Sequence, residues 1–215
     1  IGKLYTGKIT KWNDKAIVAI NKGAKLPAQT IQPVYRQDSS GTSENFTAYL
    51  AQAAAGKGFK AASTFNSISG VKGTAANQNT GVTTAVKNTK YSIAYADLSD
   101  AMSQGLATAW LKNGVGQFIK PDVRSSKAFL AQQIVNKKGV VSFQYTAPIK
   151  NGYNLSLVSY ALAPAGRGAA ADKLVAGFLT DFVKSCAPAE AAKIGYVAID
   201  GQLRTTALNL IELIG

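Results

Sequence analysis

Histidine is absent from this 215-residue sequence. That absence removes the commonest metal ligand and the commonest general base, and with no clustered carboxylates either the sequence argues against metal-assisted hydrolysis. Cysteine occurs once, as Cys186, which excludes an internal disulfide. It is either a buried thiol or half of a bridge whose partner lies outside the chain. No run of about eighteen apolar residues exists, so no transmembrane helix is expected. Ile1-Gly2-Lys3-Leu4-Tyr5 has neither a basic n-region nor an apolar h-region, so no signal peptide is legible there. Because Ile1 is not an initiator Met, this weighs little on compartment. There is no internal repeat. The lysines stand singly, with Lys137-Lys138 the only adjacent pair, so no polybasic arm is present.

What is present reads as ordinary globular protein, with 47% hydrophobic and 16% charged residues. The length suits one large domain or two small lobes. A net charge of +13, from 24 basic and 11 acidic residues, attracts small oxyanions, nucleic acids and acidic surfaces alike. On charge alone it is first a solubilising surface that also steers anions.

Asp14 to Asn21 reads as a short helix closed by Gly23, and Ile31 to Arg36 as a strand near an edge or at a strand start because of Pro33. Gln37 to Ser40 is a polar turn. It opens a helix from Gly41 to about Ala55, with Phe46, Tyr49, Leu50 and Ala53 three and four apart. Lys57 to Thr80 reads mostly as loop, Gly81 to Asn88 as helix and Ser92 to Ala96 as strand. Ala107 to Leu111 is a possible strand ending at the Asn113-Gly114 turn. Ser125 or Ser126 is expected to cap a helix reaching Asn136, with Phe129, Leu130, Gln133 and Ile134 on one face. Leu155 to Ala163 reads as an apolar strand. A helix from Ala170 to Ser185 is expected to bury Leu174, Phe178, Leu179 and Phe182, and a last helix runs from Arg204 to Ile214. Strands alternate with helices, so the class is α/β. The best candidate boundary is near Asn151-Gly152.

Chemistry concentrates at Arg36-Gln37-Asp38-Ser39-Ser40-Gly41-Thr42. A strand feeding a Ser/Gly/Thr turn into a helix start is a ready-made anion site, because the first backbone N–H groups lack intrahelical acceptors and sit at the positive end of the dipole. Gly41 allows close approach, and the Ser40 and Thr42 hydroxyls add donors. Arg36 offers a planar fork matching two oxygens of a tetrahedral anion. Asp38 would repel a dianion unless paired, which makes Arg36 its natural partner. The same residues also suit a plain N-cap, and Glu44 in the first turn suits one without any ligand. Arg36 tips the balance, since a strand-end arginine adds nothing that a cap needs.

The segment from Val34 through Leu50 resembles the phosphate-binding subunit of phosphate ABC transporters, a family with an arginine, an aspartate and a Ser-Gly-Thr triplet before a helix carrying Phe, Thr and Tyr-Leu. Further similarity lies at Ile1 to Asp14, at Ser92-Ile93-Ala94-Tyr95-Ala96 and at Tyr153-Asn154-Leu155. The resemblance implies an α/β, periplasmic-binding-protein-like fold of type II that binds inorganic phosphate for an ABC permease outside the cytoplasm, without enzymatic activity, metal or cofactor. Carried over residue by residue, Arg36, Ser40, Gly41 and Thr42 would touch phosphate and Asp38 would brace Arg36. It also implies one largely complete lobe (1–152) and a returning part of the other (153–215). An N-terminal segment before Ile1, or another chain, would complete that other lobe, and the apolar segment Leu155 to Ala163 would then lack sheet neighbours. Cys186 without a partner suits such a missing segment.

Two competing functions are weighed beside it. A phosphatase on the same fold would need Ser40 or Thr42 as nucleophile. A polyanion binder would rest on the positive field alone and be weak and salt-dependent. The aromatics Tyr91, Tyr95, Phe143 and Tyr145 follow strand spacing rather than a stacking platform, so no specific nucleic acid is expected.

Overall fold

The computed structural model describes residues 1–53, 59–67, 70–168 and 170–214. The chain divides into two compact units, Ile1–Ala107 and Thr108–Gly215, each described here by itself.

The first unit opens on helix α1 (Gly2–Tyr5), which delivers Leu4 and Tyr5 to the core. Helix α2 is shorter than its sequence suggests, Lys15–Val18, with the Asp14 side chain accepting from the Ala16 N–H. Strand β1 (Gln32–Arg36) leads into α3 (Gly41–Gln52), and β2 (Thr74–Ala76) leads into α4 (Gln78–Asn88). Strand β3 (Ser92–Ile93) precedes α5 (Leu98–Ser103). The sheet order is β2-β1-β3, parallel throughout, with Val34 opposite Thr74 and Pro33 opposite Ile93.

Strand β1 is therefore central rather than at an edge. Pro33 is tolerated because it stands near the strand's start, before the pairing with β2 begins at Val34. β2 lies inside the stretch expected to be mostly loop. It has only three residues, too short for a visible alternation. Gly73 lets it close in, since a Cβ there would run into the Pro33 carbonyl and φ is +138°.

Tyr5, Phe46, Phe65 and Tyr95 form the centre of this unit. Phe46 stacks on Tyr95 at 4.3 Å, and Tyr5 meets Phe65 edge-on at 5.2 Å. The Tyr5 hydroxyl donates to the Val34 carbonyl at 3.3 Å, so this buried polar group keeps a partner. On α3, Phe46, Tyr49 and Leu50 are buried as their spacing predicts, while Ala53 is exposed at the C-cap. The expected helix end at Ala55 falls outside the described residues.

In the second unit, β4 (Leu111–Lys112) and β5 (Phe118–Ile119) form a hairpin across the Asn113-Gly114 turn. Helix α6 (Val123–Leu130) begins earlier than expected. Asp122 is its N-cap and Ser125 the third helical residue of a reciprocal capping box. It also ends earlier, because Ile134 and Val135 form β6, paired with β7 (Val141–Ser142), and Ile134 is 62% exposed.

Among the described residues, Leu155 to Ala163 carries no strand, and Leu162 is 94% exposed. β-propensity alone does not make a strand without a neighbour to pair with.

Helix α7 (Ala170–Asp181) runs on through a π-helical turn (Phe182–Cys186) into α8 (Ala187–Glu190), and α9 (Gly201–Ile211) closes the chain under an Asp200 cap. The face of α7 that turns inward holds Asp172, Ala176 and Leu179, continued by Val183, which packs with Ile211 and Ile214. Leu174 and Phe178 are 77% and 68% exposed, and Phe182 is 47% exposed. The expected stripe is thus rotated away from the core, with only Leu179 kept from it. Buried Asp172 takes its ion pair from Arg167. Cys186 is an exposed free thiol rather than a buried one.

Candidate functional site

All three parallel strands of the first unit run their C-terminal ends toward one edge, and the order β2-β1-β3 reverses direction around β1. Open α/β sheets bind ligands at that edge, beside the reversal. Arg36 ends β1, Ala76 ends β2 just before Asn79, and Tyr95 and Asp97 follow β3. Sheet topology alone therefore gathers these side chains with the start of α3.

Arg36 is only 8% exposed. Its Nε donates to Asp38 Oδ1 at 2.8 Å, its Nη2 donates to Asp38 Oδ2, and its Nη1 donates to Asn79 Oδ1 at 2.7 Å. This side-on pairing leaves donors over on the terminal nitrogens. Asp38 is held further by the Gln78 backbone N–H at 2.9 Å. The Arg36 hydrogen bonds, then that N–H, hold the Asp38 carboxyl well below the usual carboxylate range, and the same bonds push the guanidinium further up. Gln78 makes its contact from a left-handed backbone, φ +58°, a conformation that costs a non-glycine residue on the order of 1 kcal/mol.

At the start of α3, Ser40 Oγ accepts from the Thr42 and Ser43 N–H groups at 3.1 and 3.4 Å. The Gly41 N–H has no acceptor among the described residues, and a Cβ built on Gly41 would meet nothing within 4 Å. The first turn therefore offers an open backbone face at the positive end of a 12-residue helix.

Two routes join Arg36 to this turn. The Tyr95 hydroxyl accepts from the Arg36 backbone N–H at 3.1 Å and shares a hydrogen bond with Ser43 Oγ at 2.8 Å. Asn79, which accepts from Arg36, also helps hold the Asp97 carboxyl down, and Thr42 Oγ1 donates to Asp97 Oδ1 at 3.4 Å. Burial pushes the Tyr95 hydroxyl up, against its bonds to Ser43 and Arg36. Burial, then the Asp100 charge, pushes the Asp97 carboxyl up.

Asp38, Ser40, Gly41 and Thr42 thus lie together with Arg36 around one strand-to-helix turn. Sequence reasoning did not find Asn79, Asp97, Gln78, Tyr95 or Ser43 as members. Reading α4 from Gly81 rather than Gln78 hid Asn79 at a second helix start. The position of Tyr95 and Asp97 just past a parallel strand was the available signal. A separate hollow of about 350 Å³ lies at the opposite end of the strands, lined by Leu4, Ile31, Pro33, Lys72 and Thr74, away from these groups. Among the described residues no three His, Cys, Asp or Glu side chains gather as a metal site would.

Residues 1–185 match the family model described as a PBP superfamily domain. Over 164 residues the chain is 34% identical to "Phosphate-binding protein PstS" of Pasteurella multocida, covering 68% of this chain and 46% of that protein. It is 40% identical over 116 residues to "Phosphate-binding protein PstS3" of Mycobacterium bovis, covering 54% of this chain and 31% of that one. The chain spans less than half the length of these curated relatives. Among solved structures, a high-affinity periplasmic phosphate-binding protein bound with phosphate is similar over 95% of this chain and 62% of its own, with a TM-score of 0.64 at 20% identity. A DING protein covers 95% and 63%, with a TM-score of 0.67 at 18% identity. At such identities these structures speak for the fold.

Proposed function

Because this chain belongs to the PBP superfamily and has its α/β fold, we propose that it binds inorganic phosphate at the turn between β1 and α3, as the solute-binding component of a phosphate ABC importer. The observation that carries the reading is the pairing of an open helix start at Gly41 with a buried, braced arginine. Fixed N–H donors bind a desolvated oxyanion without having to reorganise. Arg36, Ser40, Gly41 and Thr42 are the proposed contacts, and Asp38 the residue that orients the guanidinium. The relatives named as phosphate-binding proteins support the choice of anion.

The wider setting is proposed on the resemblance. Residues 1–152 would form one lobe of a closing clamp and 153–215 part of the other, completed by a further segment or chain. The partner would be an ABC permease, and the compartment extracytoplasmic. No helix among the described residues is long and apolar enough to cross a membrane. Binding rather than turnover is part of the proposal, and a chromogenic phosphomonoester left intact by the chain is the expected assay result.

The direct test is a ¹H–¹⁵N NMR titration with inorganic phosphate into the millimolar range at constant ionic strength. Amides of Gly41, Thr42 and Ser43 are expected to shift along a saturable curve, and Arg36→Gln to abolish it. Unmoved amides at saturating phosphate would sink the reading.

A further inference from the structure

Strand alternation sorts the hairpin of β4 and β5 into two faces. Leu111 and Asn113 are buried and Ile119 is half-buried, while Trp110, Lys112, Phe118 and Lys120 are exposed. Lys112 stands opposite Phe118 in the ladder, and directly opposed residues of an antiparallel pair share a face. Trp110 and Lys120 each lie two residues from a member of that pair, so alternation carries them to the same side. The outer face is therefore a chequerboard. Each ring has one lysine beside it along the strand and another across from it.

Solvent alone does not call for such a face. Trp110 is 59% exposed, Phe118 42% and Val115, at the turn, 45%. Single exposed apolar side chains are ordinary, whereas several on one hairpin mark an interaction surface. Among the described residues neither Lys112 nor Lys120 enters an ion pair, and Asp122, the acid nearest in sequence, is engaged as the cap of α6. The support beneath is stiff. Asn113 Oδ1 accepts from the Val115 and Gln117 N–H groups at 3.2 and 2.8 Å, and its Nδ2 donates to the Ile149 carbonyl at 3.0 Å. A Cβ on Gly114 would fall 2.2 Å from the Ala147 carbonyl oxygen, so the turn sits directly on that stretch. Rings held this way lose little freedom on binding.

We propose that the outer face of the β4–β5 hairpin docks on an anionic lipid bilayer, with Trp110 and Phe118 seated at the headgroup boundary and Lys112 and Lys120 on the headgroups. A partner for this face must offer apolar and anionic groups side by side. A bilayer surface does: aromatic rings settle between headgroup and acyl chain, where an indole keeps its N–H wet. A lysine lays its stem along the apolar layer and holds its ammonium among lipid phosphates. A single nucleic-acid strand would also use the lysines, but successive bases need ring after ring to stack on. Here the two rings stand diagonally, with a lysine on either side of each. The proposal is independent of the phosphate reading, whose residues belong to the first unit.

The test is cosedimentation of the whole chain with phosphatidylcholine vesicles containing about a third phosphatidylglycerol. Binding to these and not to pure phosphatidylcholine is expected. Lys112→Gln with Lys120→Gln is expected to weaken it roughly thirtyfold at low salt, about fivefold per lysine. Trp110→Ser with Phe118→Ser is expected to weaken it by at least about tenfold. Lys137→Gln with Lys138→Gln removes the same charge from another exposed pair and is expected to change binding less than about threefold. An equal loss in that control assigns binding to the general positive field and overturns the proposal. So does binding untouched by the aromatic substitutions, or a wild type that ignores the anionic vesicles. A single-stranded oligonucleotide bound more tightly than the vesicles, and lost in the same variants, gives the face to nucleic acid and overturns it equally. Fluorescence of the unmutated chain is the readout that needs no substitution. Trp110 emission is expected to shift blue on the anionic vesicles and to be quenched by brominated acyl chains, over a background from Trp12, whose indole donates to the Tyr91 carbonyl. Emission that brominated lipid leaves unquenched overturns the proposal.

Discussion

Arg36 and Asp38 stand two residues apart and meet side-on, Nε and Nη2 each donating to a different carboxylate oxygen. The arginine is nearly buried while the aspartate keeps 34% of its side chain exposed. Removing the aspartate therefore strands a buried guanidinium that, among the described residues, Asn79 alone still partners. Asp38→Ala is expected to cost roughly 1–3 kcal/mol in urea unfolding, less than a fully buried pair because Asp38 reaches water. Arg36→Lys is expected to weaken phosphate although the charge is kept, since an ammonium lacks the fork.

Acid should reveal the same pair. Asp38 titrates below its unfolded value, so its contribution is complete above about pH 4 and is lost as pH falls toward the folded value. Asp97 has the opposite sign. Its folded value is raised, so the fold is best served below the unfolded value and loses stability as pH rises through the raised one. Thermal melts across pH should accordingly show a flatter acid limb for Asp38→Asn. Asp97→Asn should melt higher than wild type near neutrality.

Ser40 caps α3 whatever else it does. Ser40→Ala is expected to lower stability by about 1 kcal/mol and Ser40→Gly by only a few tenths. Because Ser40 is also a proposed phosphate contact, added phosphate is expected to stabilise Ser40→Ala less than wild type, which thermal melts with and without the anion would show.

Gly73 holds the sheet's closest approach. Gly73→Ala places a methyl against the Pro33 carbonyl at a left-handed φ. It is expected to cost upwards of about 2 kcal/mol. Hydrogen exchange should locate the damage in β2 and at the Gln78 N–H.

The rotated face of α7 gives a direct contrast. Leu174→Ala, at 77% exposure, is expected to change stability within about 0.5 kcal/mol. Ile211→Ala, at 8% exposure, is expected to cost about 2–4 kcal/mol. Chemical denaturation of both variants checks which stripe is core.

The two outcomes for helix faces show what sequence could carry. On α3 the apolar residues offer one stripe, and Phe46, Tyr49 and Leu50 are buried on it. On α7 they nearly encircle the helix. Periodicity then named Leu174 and Phe178, while the inward line runs through Asp172 and Ala176. Buried Asp172 was invisible because its partner Arg167 precedes the helix. At the site, Arg36 to Thr42 was legible because it is contiguous and its residue types share one chemistry. Asn79 and Asp97 are 43 and 55 residues from their hydrogen-bonding partners Arg36 and Thr42, and only the sheet order brings them in. Pro33 left a strand edge and a strand start open, and the start is what the structure has; that β1 is also central was hidden because local sequence carries no information on how many strands will flank it.

Tyr95 joins the end of the strand to the start of the helix through one hydroxyl and stacks on Phe46 behind it. Its ring is therefore a built-in spectroscopic probe. A fluorine beside that hydroxyl would sit between Arg36 and Ser43, and its resonance would report occupancy of the turn without any label on the contacting residues themselves.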